Sequence, residues 1–331
     1  MTRVRFAPSP TGSLHLGNAL AAAANRAFGD WLLLRIDDTD AARNLPGGEE
    51  AIVADLQWLG IGWNEGPVRQ SERQERYRGA VGPLGERFDG ITLLRADGTA
   101  TYQLASVVDD VDFGITHVIR GADHRPNEAL HRRLHAALGT EPPEYIHIGL
   151  ILGPDGRKLS KRHGMSSIAE LREAGIPAEA VRAYLDELGL PKHDVHLDLA
   201  RLRRLAVEAI STLSDRELAA RVGVPKSVVP AIRGARDLVE AHEYAAAILA
   251  PPPPAPVDSP QTLRRFRELA LAGVEPRDLV RELKAAGGDL HGLRRALTGR
   301  DRGPELWAIL AALPREEALR RVDQALQHTH A

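Results

Sequence analysis

The run Trp31-Leu32-Leu33-Leu34-Arg35-Ile36 constrains the fold more than any other feature, because six largely apolar residues stand between two helix-like stretches. A strand that is apolar on both faces must be covered on both faces, and that is the setting of a parallel sheet flanked by helices. Residues 17–28, before it, are rich in alanine and leucine. In residues 48–59, after it, Ile52, Leu56 and Leu59 fall on one helical face. Residues 2–6, 91–94, 115–119 and 145–148 read as further strands, and 126–138 as a helix. Strands alternating with helices predict an α/β fold with a parallel sheet and right-handed crossovers.

The pattern changes near Leu190. Beyond it only helical spacing is found, as in residues 199–210, 215–222 and 261–271, with a stiff proline-rich break at residues 251–256. Two domains are expected, residues 1–190 (α/β) and residues 191–331 (all-α), a division that suits 331 residues. Hydrophobic residues make up 43% and charged residues 27% of the chain, an ordinary globular balance. No apolar run approaches the roughly 18 residues a membrane span requires. Residues 1–10 fit neither a signal nor a transit peptide, so the expected location is cytoplasmic, with no membrane partner.

With no cysteine in the chain, disulfides and thiolate zinc sites are excluded. His131 and His135 stand four apart on the expected helix 126–138. No third ligand accompanies them, so a solvated helix face is expected rather than a metal site. The net charge of −2 divides unevenly. Residues 1–191 carry 21 Lys and Arg against 26 Asp and Glu, a net −5, and the remainder carries +3. Neither half has the marked basic excess typical of a nucleic-acid binder.

Two motifs carry chemistry. His15-Leu16-Gly17-Asn18 stands where the first strand turns into the first helix. Free N–H groups and the dipole at a helix start favour phosphate. Gly17 permits close approach of a nucleotide to the backbone, and His15 can donate to a pentavalent transition state at the α-phosphorus. Lys158-Leu159-Ser160-Lys161-Arg162 follows the turn sequence Gly153-Pro154-Asp155-Gly156. Its cations suit a leaving pyrophosphate, lysine acting as a compact point charge. Alone, the first motif suits an ordinary turn before a helix and the second a solvated basic loop. Arg5, Asp37, Tyr102 and Arg120 lie near strand ends or helix starts, the edge where open α/β sheets bind ligands. Arginines there can hold carboxylates in bidentate fashion, and an aspartate can pair with an α-ammonium. Taken singly, each also suits a structural ion pair.

The text RFAPSPTGSLHLGNA (5–19), RIDDTD (35–40), WNEGPVRQSER (63–73), YQLASVVDD (102–110), THVIRGADH (116–124) and LILGPDGRKLSKRHG (150–164) resembles glutamyl-tRNA synthetases of class I. The resemblance extends over about residues 3–190. It continues more thinly through LSDRELAARV (213–222) and LRRALTGRDRGPELWAIL (293–310). It implies a Rossmann-like catalytic domain followed by an all-α domain, and ATP with Mg2+ as the activating reagent, without zinc. It implies ATP contacts from His15, Gly17, Asn18, Lys158, Leu159, Ser160 and Lys161, of which His15, Lys158 and Lys161 are catalytic. It implies a glutamate pocket made by Arg5, Ser9, Asp37, Tyr102, Ser106 and Arg120. Asp37 and Ser106 are shorter than the family's usual glutamate and asparagine, so the expected pocket is roomier or tuned to an analogue of glutamate. Ala122 replaces a usual acid.

The largest departure from the family is a deletion. Ser71 reaches Ile91 in only 20 residues, where the family inserts a domain that grips the tRNA acceptor stem. The expectation drawn from this is glutamate activation followed by transfer to an acceptor other than tRNA, such as a small amine, a thiol or a carrier protein. The alternatives are a minimal ligase that charges tRNA, and a non-catalytic regulatory paralogue.

Overall fold

The computed structural model describes residues 1–82, 84–159, 164–250, 252–253 and 258–329. Ser160 and Lys161 of the second motif and most of the proline-rich break lie outside these residues. Two compact units emerge. The first holds Met1–Glu173 and Val181–Arg201; the second holds Ala174–Ala180 and the residues from Leu202 onward.

The first unit begins β1 (Arg3–Phe6), α1 (Leu16–Phe28), β2 (Trp31–Ile36), α2 (Gly48–Trp58) and β3 (Glu65–Arg69). These strands form a parallel sheet in the order β1-β2-β3. Leu32 to Ile36 are all buried, as a strand covered on both faces requires. After α3 (Gln74–Ala80), a short antiparallel hairpin, β4 (Arg87–Phe88) with β5 (Ile91–Thr92), leads to α4 (Tyr102–Asp112). Residues 91–94, expected as a parallel strand, thus form part of a hairpin. The sequence signal there was apolar composition, which does not report strand direction.

Next come β6 (His117–Gly121), a 3-10 turn over Ala122–Asn127, α5 (Glu128–Ala137) and β7 (Glu144–Ile148). β6 and β7 pair in parallel, with Arg120 opposite His147. β6 starts beside β1, where the Thr116 N–H donates to the Arg3 carbonyl at 2.9 Å. α5 packs against α4, with Leu104, Leu130 and Leu134 in one core. His131 and His135 are each only 1% exposed, so the solvated helix face expected for them is corrected. His131 Nε2 lies 2.7 Å from Gln103 Oε1, and His135 Nδ1 lies 3.0 Å from Thr140 Oγ1. Burial holds both imidazoles below the ordinary histidine range, His131 at about 3.

The unit is completed by β8 (Ile151–Leu152), α6 (Ile168–Glu173), α7 (Ala178–Leu188, which spans the division) and β9 (Val195–His196). β9 pairs in parallel with β8, so strand structure persists past Leu190, where only helices were expected. Gly149 is required just before β8: a Cβ there would stand 1.9 Å from the His193 carbonyl oxygen.

In the second unit the elements among the described residues are helices. α8 (Leu199–Thr212) leads into it, followed by α9 (Asp215–Val222), α10 (Val229–Ile232), α11 (Leu238–Leu249), α12 (Pro260–Leu271), α13 (Pro276–Ala285), α14 (Leu290–Thr298), α15 (Leu306–Ala312) and α16 (Arg315–Thr329). Ser214 and Glu217 form a capping box that starts α9. Ile248, Phe266, Leu297, Ile309 and Val322 share one core. Into it Arg321 extends a buried guanidinium that donates to the carbonyls of Leu297 and Ile248. Among the described residues no helix is long and apolar enough to cross a membrane.

The loop before α1 is pinned by Asp55 of α2. Its Oδ2 accepts from Ser13 Oγ at 2.6 Å and from the Leu14 N–H at 2.8 Å, and Oδ1 accepts from Arg172 at 3.2 Å. Asp55 is 2% exposed, so truncating it orphans a buried N–H and removes charged hydrogen bonds. Asp55→Ala is predicted to lower unfolding free energy in urea by about 2–3 kcal/mol. A loss under about 0.5 kcal/mol would show that the loop is held by other means.

Candidate active site

A cavity of about 660 Å3 opens in the first unit. Its walls include Arg5, Ser9, His15, Gly17, Asn18, Asp37, Tyr102, Arg120, Lys158 and Leu159, so the two motifs and most of the expected pocket residues come together. Asp40, Arg43, Arg95 and Asp123 line it as well. Ser106 does not. It is fully buried, and its hydroxyl accepts from Arg35 Nη2 at 3.3 Å. One turn into α4, it faces the sheet rather than the opening.

At one end of the cavity His15 caps α1, its Nδ1 accepting the Asn18 N–H at 3.3 Å. The neutral ring therefore carries its proton on Nε2, as a donor. Burial, followed by the charge of Lys158, lowers the His15 pKa and so keeps it neutral. A Cβ on Gly17 would press on this ring at 3.2 Å, which accounts for the glycine. Backbone bonds hold the neighbourhoods of the two motifs together: Leu16 N–H to the Ser166 carbonyl, and Ile168 N–H to the Leu14 carbonyl, both 2.8 Å. Lys158 Nζ pairs with Asp123 at 2.5 Å. Burial raises the Asp123 pKa, but the Lys158 bond and nearby positive charge outweigh it and hold that carboxyl below its usual range.

At the other end Arg5 and Arg120 are each 5% exposed. Arg120 donates from Nη1 to Tyr102 Oη at 3.3 Å and from Nε to His147 Nε2 at 3.4 Å, and stands 5.1 Å over the Tyr145 ring. Its Nη2 is buried with no partner. Arg5 Nε is likewise without a hydrogen bond, although it lies at ion-pair distance, 3.4 Å, from Asp110. Burial, with the adjacent Arg5 charge, lowers the Arg120 pKa. Two buried guanidinium groups with unfilled donors form a site for an anion.

Beneath them Arg35 is fully buried. It holds Asp37 through two bonds, Nε to Oδ1 at 2.7 Å and Nη2 to Oδ2 at 3.2 Å, and Asp110 Oδ1 at 3.1 Å. Burial opposes its charge, but Asp37, Asp110 and Asp109 together raise its pKa well above the usual value. For Asp37, burial pushes the pKa up against the pull of Arg35. Reading the sequence missed Arg35, Asp110, Asp123 and Arg95. Asp123 follows Ala122 directly in the quoted run THVIRGADH, and an acid one residue beyond the expected position was the available signal. Arg35 stood in the open as the single charge in an apolar strand.

The family model for tRNA synthetases class I (E and Q), catalytic domain, matches residues 1–87 and 85–209. The chain belongs to this family. It is an ATP-dependent ligase of the aminoacyl-tRNA synthetase type. Glutamate–tRNA ligase 1 of Rubrobacter xylanophilus is 36% identical, the match covering 98% of this chain and 97% of the relative. Glutamate–tRNA ligase 2 of Rhodospirillum centenum is 31% identical, covering 97% and 98%. In fold, this synthetase superimposes with a TM-score of 0.78 on a glutamate tRNA ligase from Elizabethkingia meningosepticum solved in complex with its amino acid. That match covers 98% of this chain and 99% of the solved one, at 22% identity. The Rubrobacter alignment runs over 421 positions, so a chain of 331 residues leaves at least 90 of them unfilled. The two matched segments of the family model meet at residues 85–87, at the β4–β5 hairpin, where the sequence reading located the deletion.

Arg35 supplies the only direct hydrogen bonds from a guanidinium to Asp37 among the described residues. Arg35→Met is predicted to destabilise the synthetase by about 3–5 kcal/mol, because buried carboxylates lose their counter-charge. Near-native stability in chemical denaturation would mean that Arg5 and Arg73, whose Nε donates to Asp109 Oδ1 at 2.8 Å, neutralise the cluster unaided.

Proposed function

We propose that this synthetase activates glutamate with ATP and transfers it to tRNA. The observation that carries the first half is a pair of unfilled donors, Arg120 Nη2 and Arg5 Nε, on two arginines that line the cavity. A carboxylate completes both. The neutral amide of glutamine leaves the buried charge unpaired, so glutamate is selected over glutamine. Asp37, Ser9 and Tyr102 line the same cavity. Asp37 keeps lone pairs for an α-ammonium beyond those used by Arg35.

With the side chain held there, the α-carboxylate oxygen attacks the α-phosphorus of ATP and pyrophosphate leaves. His15 donates from Nε2 to the charge developing on the α-phosphate, and Lys158 meets the departing phosphates once it leaves Asp123. Lys161 is assigned to the same task from its motif. Mg2+, the family's companion to ATP, neutralises phosphate charge. Among the described residues no cluster of three His, Asp or Glu could hold a metal ion. No zinc is assigned to the site.

Transfer to tRNA rests on the relatives, which bear the name glutamate–tRNA ligase and align over nearly their whole lengths, the helical region included. The comparisons thus favour tRNA over the small amine, thiol or carrier protein expected from the sequence. One observation favours such an acceptor as a second reading: the two segments matched by the family model meet at residues 85–87, within the short stretch from Ser71 to Ile91, in a half of the chain that is net acidic.

Pyrophosphate exchange with glutamate is predicted to exceed that with glutamine at least about a hundredfold, and Lys158→Ala to lower it by about 3 kcal/mol of transition-state stabilisation. Glutamyl-tRNA is predicted to form at near-physiological salt. Equal exchange with both amino acids would overturn the assigned pocket. Full exchange without charging would transfer the case to the second reading.

A further inference from the structure

We infer that His147 is a positioning residue for Arg120. It accepts one guanidinium N–H so that another, Nη2, is left to face the substrate. The inference rests on the proposed role of Arg120. His147 does not line the cavity, so any effect on the substrate must pass through the arginine.

The geometry comes from strand register. Parallel pairing of β6 and β7 sets His147 opposite Arg120. Arg120 Nε donates to His147 Nε2 at 3.4 Å. A ring nitrogen that accepts cannot carry a proton, so His147 must be neutral with its hydrogen on Nδ1. Nδ1 lies 3.5 Å from Glu128 Oε2, a carboxylate that favours this tautomer. Arg132 holds the other oxygen of Glu128 at 2.8 Å. The His147 side chain is 3% exposed and stacks on Tyr145 at 12° between ring planes. With Nε on His147 and Nη1 on Tyr102, the guanidinium plane is fixed at two points, and the buried Nη2 is the donor left over.

Protonation of His147 would undo this arrangement. It removes the acceptor and sets a second positive charge against Arg120. The groups facing His147 are Arg120 from β6, Glu128 from α5, and His124 and Arg125 from the 3-10 turn. Burial and the charge of Arg120 lower its pKa, with Glu128 opposing. The neutral form therefore prevails at pH 7, and binding should weaken as pH falls below the ordinary histidine value.

The test is steady-state pyrophosphate exchange on the full chain, with glutamate and ATP varied separately. His147→Leu should raise KM for glutamate about tenfold or more, the effect of losing a charged hydrogen bond. KM for ATP and kcat should move by less than about threefold. His147→Gln, whose amide oxygen can still accept, should recover most of the glutamate KM. In the unaltered protein KM for glutamate should rise as pH falls from about 6.5 to 5.5, and the rise should be smaller in His147→Gln. His15 and His124 titrate in both proteins and cancel in the comparison. Equal KM for the Leu and Gln variants, or an unchanged pH profile in His147→Gln, would overturn the inference. If His147→Leu does not fold, the pH comparison decides alone. Arg120→Leu serves as the control: an unaltered glutamate KM in that variant would overturn the reading of the pocket, and the inference with it.

Discussion

The fully buried guanidinium of Arg35 is the interaction on which the rest of the site depends. It leaves the strand β2 and gathers carboxylates from two places, Asp37 just beyond its own strand and Asp110 on α4. Asp110 then lies against Arg5 of β1. Sheet and helix are thereby tied through one charge cluster at the carboxyl edge of the strands. Burying such a group is costly unless its donors are met, and here most of them are met by acids. The next layer out is incomplete: Arg5 and Arg120 keep unfilled donors, and both residues line the cavity.

Much of the first unit was legible because strands such as β2 are apolar on both faces, whereas β3, Glu65–Arg69, is exposed to half-buried and was not expected. The run 31–36 appeared as β2 with the same bounds, and the break in pattern after residue 28 as the end of α1. Direction and context were less legible. Residues 91–94 carry apolar side chains into a hairpin, and hydrophobic composition alone cannot tell a hairpin arm from a parallel strand. β9 has only two residues, too few for any periodicity to register. His131 and His135 looked like surface groups because half of the residues of α5 are charged or histidine, yet both are buried, His131 against Gln103 of α4 and His135 against Thr140.

In the site, the described residues of the two motifs were legible from their sequence, and one cavity is lined by both. Partnerships were not legible. Ser106 was expected at the pocket wall, but its hydroxyl is turned toward Arg35. Asp123 was overlooked although it pairs with Lys158, because the pair joins residues 35 apart in sequence. Arg95 reaches the cavity from the connection between β5 and α4. Side chains that act through other side chains leave little trace in spacing, and His147 is of that kind.

The central claim is that an anionic side chain completes the donors of Arg5 and Arg120. It is tested most directly by a crystal structure of the protein with a non-hydrolysable glutamyl-adenylate analogue. The account predicts the side-chain carboxylate within about 3 Å of Arg120 Nη2, with Arg5 Nε turned toward the same ligand and the phosphate beside His15. A carboxylate directed away from both arginines, with Arg120 Nη2 still unpartnered, would contradict it.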